Sequence, residues 1–232
     1  MNEIRFRIMR GHEEKRFLQE YQLPYEPQKT ISWWLIKIQE ELDSSLLFPL
    51  FCRAGLCGGC GLMINDRSVL ACDTMLDFYL SEAEKCVTLK PLQGFTLIRD
   101  LQVDWNPAGL RLKQIISGAD SAQAVEIVDD SRMQPELSST YLKLGSCISC
   151  GLCVSDCPAI SGGKFIEPFI FIKCQKILVD PRVGEAVKNS IIQNLRPYLD
   201  ECLHCGRCGA VCPRGLSPEE AICDLREGVA AC

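Results

Sequence analysis

Residues 202–213 read CLHCGRCGAVCP, and residues 147–158 read CISCGLCVSDCP. Adding 55 to Cys147, Cys150, Cys153, Cys157 and Pro158 gives Cys202, Cys205, Cys208, Cys212 and Pro213, and Gly151 likewise maps onto Gly206. Each copy is C-x2-C-x2-C-x3-C-P, the run in which three thiolates grip one four-iron cluster and the fourth ligates its neighbour. The spacing therefore assigns Cys147, Cys150, Cys153 and Cys212 to one cluster, and Cys157, Cys202, Cys205 and Cys208 to a second. The crossing-over has a geometric cause. Proline after the fourth cysteine fixes φ and removes a backbone donor, which turns the chain away from the cluster just wrapped.

Between the copies, EAVKNSIIQNLRPYLDECL puts Val187, Ile191, Leu195, Tyr198 and Leu199 roughly on one helical face. Strand-like alternation ends near residue 104, and residues 117–139 read as a polar excursion. The expected second domain, 104–232, is all-helical. SGGK at 161–164 is too short for a phosphate loop and reads as a turn.

Before that boundary the pattern changes. Ile4, Phe6 and Ile8 alternate with Arg5 and Arg7, residues 15–23 look like a hairpin partner, and Thr30 is placed to cap a helix carrying Ile31, Trp34, Leu35, Ile38 and Leu42. The tryptophans at 33 and 34 read as core and interface residues. GLMINDRSVLAC predicts a second hairpin turning at Asn65-Asp66, and CVTLKPL a last strand. Between helix and hairpin lies CRAGLCGGC: Cys52, Cys57 and Cys60, with Cys72 following, form C-x4-C-x2-C plus a distant fourth thiol, the loop of a plant-type two-iron cluster. Zinc sites use paired C-x2-C knuckles, which this spacing does not form. Gly55, Gly58, Gly59 and Gly61 free the backbone to bring N–H groups to sulfur, and Arg53 adds positive charge beside an anionic centre. The expected first domain, 1–103, is a small mixed sheet around one helix.

Composition agrees. Sixteen cysteines in a chain whose N-terminus, MNEIRFRIMRGHEEK, has no apolar signal segment point to metal ligation and not to a disulfide framework. The remaining Cys86, Cys174, Cys223 and Cys232 stand alone and are expected not to be ligands. A net charge of -5 with interspersed signs argues against nucleic acid. The longest apolar stretch, Phe165–Val179, is interrupted by Glu167, Pro168, Lys173 and Lys176, so no membrane span is expected of this chain.

Along nearly its whole length the sequence resembles the iron-sulfur subunit of succinate dehydrogenase and fumarate reductase. The residues that carry the likeness are CRAGLCGGC, TLIRDLQVD with Arg99-Asp100-Leu101, the two cysteine-proline runs, KFIEP, and Asp180-Pro181-Arg182. The resemblance implies an α+β chain, with a plant-type ferredoxin-like (β-grasp) domain docked on an FAD-containing flavoprotein subunit and a helical ferredoxin-like domain passing electrons towards quinone. It places the interconversion of succinate and fumarate on the flavoprotein. Consistently, no G-x-G-x-x-G fingerprint is present, and the only histidines are His12 and His204.

The third cysteine group departs from the common pattern. Quinone-linked members of the family lack the second cysteine of that run, giving C-x5-C-x3-C-P and a three-iron cluster; they also carry tryptophan soon after the position of Cys157 and histidine directly after that of Cys202. This chain has Cys205 in the slot, AISGGKF after Pro158, and Leu203 with His204 one position late. The resemblance is therefore to the branch with a second four-iron cluster, the centre being three-iron only if Cys205 is not a ligand. The expected terminal partner is a membrane-anchor or cysteine-rich redox subunit, with the chain cytoplasmic and peripheral on the membrane through that partner. Two alternatives stand beside this: a soluble thiol- or ferredoxin-linked fumarate reductase subunit, and a stand-alone multi-cluster carrier. A fused two-iron domain speaks against the last, since a mobile carrier gains little from three fixed clusters in series.

Overall fold

The computed structural model describes residues 3–81, 85–117 and 133–226. They form two compact units: Met1–Asp104 with Ile148–Asp156, and Trp105–Cys147 with Cys157–Cys232. The middle of the second cysteine run thus belongs to the unit built around the sheet.

In the first unit β1 (Glu3–His12) and β2 (Lys15–Pro24) form an antiparallel hairpin, paired from Glu3 with Pro24 to His12 with Lys15. Gly11 is required there: its φ is +97°, and a Cβ would lie 2.1 Å from the Lys15 carbonyl oxygen. β3 (Gly61–Ile64) and β4 (Arg67–Leu70) form the second hairpin, with Asn65 and Asp66 at φ of 44° and 65°, the left-handed pair a two-residue type I′ turn needs. β5 (Cys86–Lys90) runs parallel to β1 and antiparallel to β3, completing the order β2-β1-β5-β3-β4. A short pair, β6 (Leu97–Arg99) and β7 (Gln102–Val103), follows.

The alternation in β1 buries Ile4, Phe6 and Ile8 completely beneath helix α1 (Ile31–Glu41). Thr30 caps α1 by accepting from the Trp33 amide at 3.3 Å. Trp34 is fully buried against Phe6, ring centroids 5.4 Å apart, while Trp33 lies at the rim beneath the ammonium groups of Lys29 and Lys37. Each such large buried side chain contributes about 1.5–3 kcal/mol. Leu42 departs from the expected apolar face; it falls one residue beyond the helix and is 49% exposed.

The strand end of β1 is tied to the chain that enters the cysteine loop. Buried Arg10 donates to Asp43 at 2.5 Å and Ser45 at 2.9 Å, bonds Tyr21, and stands 3.1 Å from Asp100. Asp100, also buried, accepts from the amides of Gly11 at 2.8 Å and Leu47 at 2.9 Å. Arg10, the Ser45 hydroxyl and the Tyr21 hydroxyl all donate to Asp43, and its carboxyl is held well below the usual carboxylate range, chiefly by Ser45; burial pushes the Tyr21 phenol up.

The second unit is helical among the described residues. α2 (Asn106–Ile116), α3 (Pro135–Gly145), α5 (Pro168–Leu178), α6 (Glu185–Leu199), α7 (Arg207–Ala210) and α8 (Pro218–Arg226) belong to it, and α4 (Leu152–Ser155) to the first. α5 is the central element, with Phe169, Ile170, Phe171, Ile172, Cys174 and Leu178 buried, which accounts for the long apolar stretch without a membrane. The expected face of α6 is realised: Val187, Ile191, Leu195 and Leu199 are buried and Tyr198 is half-buried. The polar excursion is shorter than expected, because Pro135 at the first helical turn starts α3; residues 118–132 lie outside the described residues. At 160–162 the chain makes a single 3-10 turn closed by Gly163 at φ of 74°.

Candidate metal centres

The first cysteine loop turns its backbone amides towards its own sulfurs. Cys52 Sγ accepts from the amides of Ala54 (3.5 Å), Leu56 (3.4 Å) and Cys57 (3.3 Å); Cys72 Sγ accepts from Gly55 (3.2 Å) and Cys57 Sγ from Gly59 (3.4 Å). Winding this tightly needs left-handed backbone, supplied by Arg53 at φ of 57°, Gly55 at 67° and Gly58 at 73°. The thiols fall into an exposed pair, Cys52 and Cys57, and a buried pair, Cys60 and Cys72, whose sulfurs are 3.2 Å apart. The two environments act oppositely. Amide donors, that of Ala54 first, bring the Cys52 thiol down to about 6, whereas burial pushes Cys60 up to about 12.

The two repeated runs have the same backbone. Ser149 and His204 stand at φ of 51° and 49°, Gly151 and Gly206 at 75° and 69°, and each glycine opens a one-turn helix, α4 or α7, at the same offset. Their surroundings differ: Cys150 to Ser155 are all buried, while no residue of α7 is buried and Cys205 is exposed.

Cys157, Cys202, Cys205 and Cys208 line one cavity in the second unit, closed by Phe165, Pro168 and Ile222. Backbone amides reach these sulfurs too: those of Ile160 and Ala159 to Cys157, of His204 to Cys202, and of Glu219 and Gly209 to Cys208. Burial raises the free thiols of Cys157, Cys202 and Cys208, the last to about 11. Four thiols around one cavity, with amides aimed at sulfur and apolar walls, fit an iron-sulfur cluster, whose cationic iron favours the thiolate form and whose anionic sulfur accepts the amides. In the other set Cys150 and Cys153 lie in the first unit and Cys147 and Cys212 in the second; for these the spacing of the run carries the assignment.

Sequence spacing located the cysteines but not their surroundings. Neither the Glu219 amide nor the walls Phe165, Pro168 and Ile222 were anticipated as part of a centre, although KFIEP carried the signal. Of the solitary cysteines, Cys174 is fully buried with its thiol pushed up to about 12 by burial, Cys86 is half-buried at the start of β5, and Cys223 lies on α8 with its sulfur 3.5 Å from His204 Nδ1. Cys232 lies outside the described residues.

Comparison with known proteins accords with this arrangement. Residues 4–108 match the model of the 2Fe-2S iron-sulfur cluster binding domain, and residues 143–216 that of the 4Fe-4S dicluster domain. The fumarate reductase iron-sulfur subunit of Wolinella succinogenes is 32% identical over 218 residues, which cover 91% of this chain and 89% of the relative. This chain belongs to the family of iron-sulfur subunits of fumarate reductase and succinate dehydrogenase. The 8-methylmenaquinol:fumarate reductase iron-sulfur subunit of the same organism is also 32% identical, over 96% of this chain and 72% of the relative. The family fold, a mixed-sheet domain followed by a helical one, recurs in a chain of the Mycobacterium smegmatis Sdh1 complex in the apo form, with a TM-score of 0.84, 23% identity, and 99% and 96% of the two chains covered. As an iron-sulfur subunit, the chain is part of an oxidoreductase complex and carries two-iron and four-iron binding domains. Among the described residues no helix is long and apolar enough to cross a membrane.

Proposed function

We propose that the chain is the electron relay of a fumarate reductase or succinate dehydrogenase complex, joining an FAD-containing flavoprotein subunit to a terminal redox partner through one two-iron and two four-iron clusters. The ligands are Cys52, Cys57, Cys60 and Cys72 for the two-iron centre; Cys147, Cys150, Cys153 and Cys212 for the first four-iron centre; and Cys157, Cys202, Cys205 and Cys208 for the second. Bound clusters supply one-electron chemistry at potentials set by cluster type, hydrogen bonds to sulfur and exposure. This chain's residues hold the iron, aim amides at the sulfurs and give the second centre apolar walls in Phe165, Pro168 and Ile222. None is catalytic: succinate and fumarate interconvert on the flavoprotein. The functional domains are 1–103, with the two-iron centre, and 104–232, whose cysteines bind the other two.

One observation carries the finer reading: Cys205 lines the same cavity as Cys157, Cys202 and Cys208. A fourth thiol there favours a second four-iron centre, and with it a terminal partner that is a membrane-anchor or cysteine-rich redox subunit unlike the usual quinone-binding haem anchor. The chain itself is cytoplasmic and reaches the membrane only through that partner. Anaerobic purification with the neighbouring subunits tests this. Flavin should co-purify, with about ten irons per chain. Oxidised wild-type protein should show no three-iron paramagnetic signal, and Cys205→Ser should gain one. A strong three-iron signal in the wild type, unchanged by the substitution, would make Cys205 a bystander; a chain that purifies without flavin would be the stand-alone carrier.

A further inference from the structure

The glycines of the two-iron loop divide into two kinds. Gly55 and Gly59 bring amides to sulfur. Gly58 and Gly61 send no amide to any sulfur in the loop, yet each is crowded, and by the same neighbour. A Cβ on Gly58 would lie 2.6 Å from the Ile148 carbonyl oxygen, 2.9 Å from Cys150 Cα and 3.0 Å from Cys150 Cβ; one on Gly61 would lie 2.9 Å from the Cys150 carbonyl oxygen. The second cysteine run closes Gly58 to any side chain, and together with Leu92, whose Cδ1 would lie 2.9 Å from a Cβ, it closes Gly61.

That contact is held in place on either side. Ser68 of β4 donates to the Asp156 carboxylate at 2.7 Å, and the Gln93 amide donates to the Ser155 hydroxyl at 2.9 Å. Segment Ile148–Asp156 is thereby part of the first unit, with Cys150, Leu152, Cys153 and Val154 buried.

From this we infer that Gly58 and Gly61 are positioning residues for electron transfer, fixing the separation between the two-iron centre and the first four-iron centre by letting the backbone beside Cys57 and Cys60 touch the backbone of Cys150. The inference rests on the ligand sets proposed above. Gly58 is bonded to Cys57, a ligand on one side, and meets Cys150, a ligand on the other. The link between centres thus runs through bonded chain on each side and the close approach of Gly58 to Cys150. In each transfer one of the two centres is oxidised by one electron as the other is reduced by one; no bond forms or breaks and no proton moves. Packed interiors do not absorb an added methyl without displacement, so a side chain at either glycine must lengthen this gap.

The test uses the anaerobically purified holoprotein with its clusters. In the fully reduced wild type, the paramagnetic resonance signals of the two-iron and first four-iron centres should show mutual splitting or broadening. Gly58→Ala and Gly61→Ala should keep the iron and sulfide content and both signals while losing that interaction, and electron equilibration between the centres after rapid reduction should slow severalfold. Gly163→Ala is the control for backbone strain: it adds the same left-handed strain, at φ of +74°, but its Cβ meets nothing within 4 Å. It should retain the interaction. If the glycine variants do not assemble clusters, Ser68→Ala, which adds no bulk, takes their place: it should increase hydrogen exchange at the amides of 148–156 and weaken the magnetic interaction in the same direction. Retention of the full interaction and rate in assembled Gly58→Ala, or in Ser68→Ala with 148–156 loosened, overturns the inference. Absence of a two-iron or four-iron signal in the wild type overturns the ligand assignment instead.

Discussion

The two cysteine-proline runs have one backbone and two environments. Ser149 and Gly151 repeat the φ values of His204 and Gly206 to within a few degrees. Yet in the first copy Leu152, Cys153 and Val154 are at most 8% exposed, while in the second Leu203 is 63% exposed and Cys205 lies at the surface. The difference teaches that the motif dictates how the chain wraps a cluster, and the residues between the cysteines dictate what the wrapped loop faces. Leu152 and Val154 make the first copy an interior segment; Arg207 and Gly209 at the same slots leave the second open to solvent.

Ligand removal is expected to separate the copies most strongly. Cys150→Ser should abolish the first four-iron centre and much of the folded yield, since metal binding and folding are coupled and the segment is built into the first unit. Cys205→Ser should leave a folded protein with a three-iron centre. Iron analysis, resonance spectra and yield read the contrast directly, and equal losses in the two variants would break it.

Hydrogen exchange of the holoprotein sharpens the same point without mutation. Amides of 152–156 should exchange only through openings several kcal/mol more costly than those exposing 207–211, because openings span from near zero to the global stability. Equal protection would mean that the cluster, and not burial, sets local stability.

A third test carries the buried-against-open contrast to ion pairs. Arg10 and Asp43 are 8% and 18% exposed, and Arg7 and Glu20, 2.8 Å apart, are 42% and 49% exposed. Asp43→Asn should cost about 3–5 kcal/mol, the range for breaking a buried pair. Glu20→Gln should cost about 1 kcal/mol or less, as for exposed pairs. Asp43 also sets a pH dependence. Its folded value is depressed, so its contribution is complete above the ordinary carboxylate value of about 3.9 and is lost as pH falls below it. Tyr21 has the opposite sign: its raised value keeps its contribution below about pH 10 and loses it as pH rises further. Denaturation across pH should show a flatter acid limb in Asp43→Asn.

The smallest difference between the two copies is expected at the paired glycines. Gly206→Ala should cost about 1–2 kcal/mol, the strain of a left-handed residue, since its Cβ would meet only Glu219 Oε2 at 3.4 Å. Gly151→Ala should cost more, because that position is buried as well as left-handed. Denaturant midpoints of the two variants give the comparison.

The sequence by itself determined the cysteine groups, the repeat and the elements around them. Thiolate spacing in a short loop is a local property, as are the period of β1, the Thr30 cap and the Asn65-Asp66 turn. Leu42 and the start of α3 were misread because helix ends depend on single residues at the boundary, Glu41 and Pro135. Only the tertiary structure decided that Ile148–Asp156 joins the sheet unit, that a side chain on Gly58 or Gly61 would meet Cys150, and that Phe165, Pro168 and Ile222 line a cavity with four thiols. Those facts depend on backbone approach between segments some 90 residues apart, such as Gly58 and Ile148 or Ser68 and Asp156, and side-chain periodicity along one segment carries no record of which distant backbone it will touch.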